Sequence, residues 1–433
     1  MSTQFMVGVG RKNITPEIGA QLYGYSPDLV SESINDDLTA TAVALQCGTT
    51  AALIVSVTVC LLQTKLTTQI RELLSDKLNI PASNIYISAT HTHSGPNTSG
   101  QFGWGDIDSK YCDSIFIPQI IAAAGEAFST LKPSKLGIGT TDSYVGINRR
   151  ELFKDGTVCL GQNPFGSFDK TMTVLCFSDN NEKPIVNIIH YGAHGTAAGS
   201  NVEISRDWPG VMTDILEKES GTITMFLNGA EGDVGPRLTN GKTTADITYV
   251  AKIGAVAGHD AVRAYNSIKE FRNTDLRCVT DKIRIPYAPR MPLEEAREKL
   301  AAHNGNLTNF MGQFRQYYSD VINAYENNLP DEIHLEIEQT LINIGPVILV
   351  PFTYELFSEI ALRLRYLSPY TYTLSLSNTN GNRGYLPSQD QICLGGYEID
   401  MFTTGYVQKL TDDADCHFVN ENLRLMEELK CTE

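Results

Sequence analysis

Residues 51 to 93 read as a strand, a helix and a second strand in immediate succession. Ala51 to Cys60 is a continuous apolar, β-branched run, the pattern of a strand buried on both faces. From Thr64 to Leu78, the residues Leu66, Ile70, Leu73, Leu74 and Leu78 recur at helical spacing and make one apolar stripe. Asn84 to Ala89 is the next strand. A unit of this kind sets its two strands parallel with a right-handed crossover. It commits the chain to the α/β class. The pattern predicts a mixed, largely parallel central sheet flanked by helices, with a β meander and a helical insertion.

The second strand runs into Thr90-His91-Thr92-His93-Ser94-Gly95-Pro96. On an extended backbone, residues i and i+2 share a face, so two imidazoles would stand side by side where the strand becomes a loop. Neutral imidazole is the commonest protein ligand for zinc. Alone the spacing is a weak signal, and two hydrogen-bonded histidines in a turn would show the same pattern.

Further along, Ile117 to Leu131 is an alanine-rich helix. Lys135 to Ile147 and Met172 to Phe177 read as strands of a meander around Asp155-Gly156. Pro184 to His190 and Thr222 to Leu227 are apolar strands, with a helix from Pro209 to Glu219 between them. Thr244 to Ala264 is a helix. Residues 292–328 are charged and amide-rich, and read as two helices inserted as a cap. Glu332 to Leu349 returns to strand, and Glu355 to Tyr366 and Asn420 to Lys430 are helices. His91, His93, His194, Glu231, Asp233 and Glu355 all fall just past the end of a predicted strand, the edge where ligand sites of open α/β sheets gather.

The formal charge is −16, from 34 basic and 50 acidic residues. That disfavours nucleic acid and anionic membrane surfaces as partners. The nine cysteines are spread singly and read as buried thiols of a reducing compartment. No apolar run reaches membrane-spanning length, and the N-terminus carries no signal-peptide pattern. The expectation is a cytoplasmic protein, or a secreted one whose signal has been trimmed.

Thr90 to Pro96 resembles the Thr-His-Thr-His-Ser-Gly-Pro segment of the neutral/alkaline, zinc-dependent ceramidase family. Other matches follow in that family's order: Gly8 to Pro16 with Gly24-Tyr25, Asn148-Arg149, His194-Gly195-Thr196, Ile204 to Gly210, Asn228 to Pro236, Pro351 to Arg365, Gly384-Tyr385 and Tyr397-Glu398. The resemblance runs over nearly the whole chain. It implies a single catalytic domain over 1–433, without the family's C-terminal β-domain. Exported members begin with a signal, which this chain lacks.

The resemblance also implies one zinc per chain, held by His91, His194, Glu355 and Tyr385. Without it, Glu355 reads as a first-turn glutamate complementing a helix dipole, and Tyr385 as a packing tyrosine. Glu359, one turn on, is the rival carboxylate. Zinc-activated water would attack an amide carbonyl. His93 is the candidate for proton transfer or oxyanion contact. Arg149 and Tyr397 would bind the oxyanion or substrate carbonyl, and Asp233 completes the candidate catalytic set. Arg150 would point away from Arg149 on an extended strand.

One position departs from the family. Its Gly-Asp-Val-Ser-Pro loop appears here as Gly232-Asp233-Val234-Gly235-Pro236, followed by Arg237. A mechanism needing a serine hydroxyl there cannot operate, whereas zinc-activated water can. The expectation is an amidohydrolase of a small N-acyl or lipid-like substrate other than long-chain ceramide. A zinc esterase acting on a small acyl conjugate, or a non-catalytic metal- or ligand-binding relative, are the competing readings.

Overall fold

The computed structural model describes residues 4–303, 309–405 and 407–431. Within them lie three βαβ units. In the first, strand β1 (Thr50–Val57) is followed by helix α1 (Thr64–Leu78) and strand β2 (Ile85–Ala89). In the second, β3 (Pro184–Tyr191), α2 (Asp207–Ser220) and β4 (Thr224–Asn228) follow the same order. The third is β5 (Val347–Pro351), α3 (Ser358–Leu367) and β6 (Tyr372–Leu376). Each unit pairs its two strands in parallel, because a crossover helix returns the chain to the end where it started.

The rest of each sheet is antiparallel, which corrects the expectation of a largely parallel central sheet. The first sheet runs in the order β2, β1, Thr39–Cys47, Phe5–Asn13, Lys132–Pro133. Beyond β1 every pairing in it is antiparallel. Only Gly48 and Thr49 separate Thr39–Cys47 from β1, and a two-residue connection leaves no alternative to a hairpin. In the second sheet, β4 and β3 lead on to Thr171–Ser178 and Lys135–Asp142. In the third, β6 and β5 lead on to His334–Ile344 and Leu276–Pro286. The parallel pair thus always occupies one edge.

The expected meander also divides. Lys135–Asp142 belongs to the second sheet, whereas Gly146–Leu152 forms a hairpin with Val158–Asn163 and pairs on its other side with Val234–Pro236. The segment expected as a cap holds two helices, Leu293–Ala302 and Asn309–Glu326. Its middle, residues 304–308, lies outside the described residues. Among the described residues, no helix is long and apolar enough to cross a membrane.

One buried cluster draws on all three sheets. Leu45, Ile54 and Tyr86 come from the first, Leu175, Ile188 and Leu227 from the second, and Ile342, Leu349 and Leu374 from the third. This shared core brings the parallel edges together. Residues 377–380, just past β6, then bind to all of them. Ser377 N–H donates to Asn228 O at 3.1 Å, Ala89 N–H to Asn378 O at 3.1 Å, Asn380 N–H to Ile87 O at 2.8 Å, and Asn378 N–H to Tyr354 O at 3.1 Å. The carboxyl ends of the three units therefore open onto one place.

Candidate active site

His91 stands two residues past β2 with φ at 67°, in the left-handed region that few non-glycine residues enter. The chain turns here, so the two histidines do not share a strand face as expected. The turn nevertheless brings their rings together. The centroids lie 4.9 Å apart, and the His93 Nε2 is 3.1 Å from the His91 Nε2. His194 follows β3, and its ring centroid is 4.5 Å from that of His91.

Each of the two imidazoles His91 and His194 is held from behind. The Nδ1 of His194 lies 2.9 Å from the Glu231 carbonyl and 3.1 Å from that of Val234. The Nδ1 of His91 lies 3.2 Å from the Cys60 carbonyl. Carbonyl oxygens only accept, so the ring protons sit on Nδ1 and the Nε2 lone pairs face forward. Burial holds both imidazoles well below their ordinary pKa, which leaves them neutral.

Glu355 faces them. Its Oε2 is 3.1 Å from the His194 Nε2 and 3.5 Å from the His91 Nε2. Despite that proximity, neither the His194 Nε2 nor the Glu355 Oε2 completes a hydrogen bond. Both are buried, and a buried polar atom without a partner costs free energy. Donor atoms of His91, His194 and Glu355 all lie within 4.8 Å of one another. Two lone-pair nitrogens and a carboxylate converging on one point suit a divalent metal ion.

Glu355 does not begin a helix as expected. It lies in the short strand Glu355–Leu356, paired in parallel with Tyr385–Leu386, and directly opposite Tyr385. The helix starts later, at Ser358. Glu359 sits in its first turn and is exposed, which removes it as a rival ligand. The Tyr385 phenol accepts from Arg149 Nη2 at 3.0 Å. Burial and the neighbouring Glu355 raise its pKa, while Arg149 opposes them. The Tyr397 ring stands 5.8 Å from that of Tyr385, with its own pKa raised by burial.

Arg149 and Arg150 do not point apart. The register shifts between Asn148 and Arg150 where this strand meets Val158–Asn163, and such a bulge breaks the alternation of side chains. Both guanidiniums reach one buried carboxylate. Arg149 Nε donates to Glu398 Oε1 at 2.8 Å, and Arg150 Nη1 to Glu398 Oε2 at 2.7 Å.

His93 packs on the ring of Tyr25 at 4.9 Å and against Gly24. A Cβ at Gly24 would lie 2.3 Å from the His93 Nδ1, and its φ of +123° is one that side chains rarely adopt. Only glycine fits. Burial pushes the His93 pKa down to about 4.

Asp233, expected in the catalytic set, bonds to the start of α3 and to Asn148. Its carboxylate accepts from Ser358 N–H at 2.8 Å, the Ser358 hydroxyl at 2.9 Å and Asn148 Nδ2 at 3.0 Å. It thus caps α3 and ties that helix to the strand carrying Arg149. Arg237 turns away as well, donating to the Tyr144 carbonyl at 3.1 Å. Gly235 has a steric reason: a Cβ there would sit 2.5 Å from the Cβ of Thr243.

Three buried residues of the site had no role assigned from the sequence: Glu231, which was placed only at a strand end, Asn378 and Glu398. Glu231 and Glu398 lie inside the motif segments, but nothing in a carboxylate's identity says that it is buried. The crevice between these groups is small, about 30 Å³, enough for an ion with a water or two. Tyr23, Gln101, Trp104, Asn382, Tyr397 and Met401 wall it.

A model of the neutral/alkaline non-lysosomal ceramidase N-terminal region matches residues 5–252. The match includes His91, His93, Arg149 and His194, and ends before Glu355. Neutral ceramidase B of Dictyostelium discoideum is 29% identical over 267 residues, 56% of this chain and 37% of that protein. Neutral ceramidase A of the same organism is 29% identical over 181 residues, 38% of this chain and 25% of that protein. The aligned part of the chain therefore spans well under half the length of these curated relatives. The crystal structure of neutral ceramidase from Pseudomonas aeruginosa is similar over 99% of this chain and 75% of its own, with a TM-score of 0.75 at 18% identity. A structure of ceramidase complexed with C2 is similar at a TM-score of 0.74 and 18% identity, over 99% of this chain and 76% of its own. At that identity the likeness is one of fold.

Proposed function

Since the chain belongs to the neutral/alkaline non-lysosomal ceramidase family, we propose that it is a zinc-dependent hydrolase of a linear amide bond in a small N-acyl compound. The observation that carries the reading is the pair of buried, unpartnered atoms, His194 Nε2 and Glu355 Oε2, turned to a common point beside His91. His91, His194 and Glu355 would hold one zinc, with Tyr385 as the fourth ligand. Zinc supplies Lewis acidity to the carbonyl and to a water molecule.

The chain's own groups do the rest. His93 places Nε2 at the mouth of this array, where it can carry a proton from the attacking water to the leaving nitrogen. Arg149, locked by Glu398 and lying over the Tyr385 ring at 5.5 Å, supplies fixed positive charge to the developing oxyanion. The Tyr397 phenol keeps its proton and can donate to the same oxygen.

One observation favours a short, polar substrate over long-chain ceramide. The position of the family serine is Gly235, and Thr243 fills the space where a side chain would go. Metal analysis of the purified protein tests the zinc, and side-by-side assays on long-chain ceramide and short polar N-acyl compounds test the substrate. Absence of both bound metal and any hydrolysis would end the hydrolase reading. Clearly faster ceramide turnover would end only the preference for short substrates.

A further inference from the structure

Residues 377–384 read Ser-Asn-Thr-Asn-Gly-Asn-Arg-Gly. Asn378 and Asn380 have φ of 47° and 63°, a region asparagine enters more readily than most side chains. With the backbone so turned, their amides point at neighbouring elements. Asn380 Oδ1 accepts from Ile87 N–H at 2.9 Å and pins β2. Asn378 points into the metal centre instead.

Its orientation follows from a chain of bonds with one fixed end. The Gly384 N–H can only donate, so the Asn382 atom 2.9 Å away is its carbonyl oxygen. The Asn382 amide nitrogen then donates to Asn378 Oδ1 at 2.9 Å. Asn378 must therefore present its NH₂, which donates to Glu231 Oε1 at 2.5 Å. Amide flips are ambiguous in isolation, but here a backbone N–H decides both.

This line touches every residue assigned to the metal. The Asn378 amide nitrogen lies 3.2 Å from the His91 Nδ1; the Nδ1 proton goes to the Cys60 carbonyl, so the amide packs behind the ring without a hydrogen bond to it. The Glu231 carbonyl accepts from His194 Nδ1 at 2.9 Å. Gly384, at the other end, accepts from Glu355 N–H at 2.9 Å through its carbonyl and precedes Tyr385. Glu231 is fully buried, and its Oε2 has no partner.

We propose that Asn378 is a positioning residue of the metal centre: gripped by Asn382, it packs behind the His91 ring and fixes the Glu231 side chain, whose own carbonyl holds the His194 ring. The inference rests on the zinc reading above. Neither residue touches substrate in it, so the effect is read on the metal.

Three variants of the full chain test it: Asn378→Gly, which keeps the turned backbone without strain, Glu231→Gln and Glu231→Ala. Zinc affinity is measured by competition with a chromogenic chelator, and coordination by the visible absorption of the cobalt-loaded protein. Melting of the metal-free protein reports any purely structural loss separately. Asn378→Gly should weaken zinc binding by about 10- to 100-fold and shift the cobalt bands. Glu231→Gln keeps an acceptor for Asn378 and Glu231→Ala removes it, so the affinity of Glu231→Gln should fall between wild type and Glu231→Ala. Glutamine is nearly isosteric, so this comparison decides the matter if the glycine variant fails to fold. Wild-type zinc affinity and cobalt bands in Asn378→Gly would overturn the inference, as would equal affinities in Glu231→Gln and Glu231→Ala. A wild-type protein that binds no zinc would sink the zinc reading and this inference together.

Discussion

The Glu355 Oε2 stands 3.1 Å from the His194 Nε2, yet no hydrogen bond joins them. Both lone pairs face a common point rather than each other. His194 donates its only ring proton to backbone carbonyls, so it has none to offer Glu355. Replacing His194 by Ala should lower bound zinc from one per chain to well below that. It should also abolish the zinc-dependent rise in Tm that follows when a ligand binds only the folded state. Elemental analysis with thermal melting checks both, and full zinc retention in the variant would remove His194 from the site.

His93 has a different expected signature. Its ring reaches His91 but packs on Gly24 and Tyr25. The His93→Ala protein should keep its metal and lose about 10²-fold or more in kcat, the usual worth of a proton-transfer or oxyanion group. Unchanged turnover with zinc present would place His93 outside the chemistry.

Glu398 should matter for stability. It is 1% exposed and pairs with two guanidiniums that are themselves buried. Glu398→Ala strands both charges, and breaking a buried pair in this way costs about 3–5 kcal/mol. Urea unfolding measures it. A loss below about 1 kcal/mol, the range of solvated pairs, would show that water screens the arginines.

Restoring a serine at position 235 should not restore a ceramidase. A Cβ there meets the Thr243 Cβ at 2.5 Å, and overpacking of this kind costs about 1–3 kcal/mol. Gly235→Ser should melt earlier without gaining ceramide turnover. Adding Thr243→Gly should recover part of the stability, because the two sites share one volume. A stable Gly235→Ser enzyme with new ceramidase activity would contradict this.

Asp207 gives a pH test on stability. Burial raises its pKa from 3.8 to about 6 despite three backbone N–H donors. A raised acid pKa means that the folded state holds the proton longer. The carboxyl therefore costs nothing below about pH 4, and its cost grows as pH rises to about 6. Relative to Asp207→Asn, wild-type stability should fall by roughly 3 kcal/mol across that window. Parallel pH profiles of the two proteins would show the difference, and a constant gap would refute it.

Much of the site was legible because its residues close short apolar runs. His91, His194 and Glu355 each follow a strand whose buried character shows in composition alone, and the first βαβ unit was readable from its periods. Burial along one segment is a local property, written in the order of its side chains.

Pairing is not local. Which strand lies beside β1 was decided by a two-residue turn and by the shared core, so the sheets came out antiparallel with parallel edges. Glu355 left its predicted helix because Tyr385 bonds beside it. The bulge at Asn148–Arg150 brought two adjacent arginines onto Glu398. Asp233, placed by sequence at the chemistry, was taken up by the start of α3. Each outcome depends on a hydrogen-bond partner distant in sequence. By itself the sequence determined which side chains were available at the strand ends. Only the tertiary structure decided which ends met, because buried polar groups must find their partners wherever the packed core puts them.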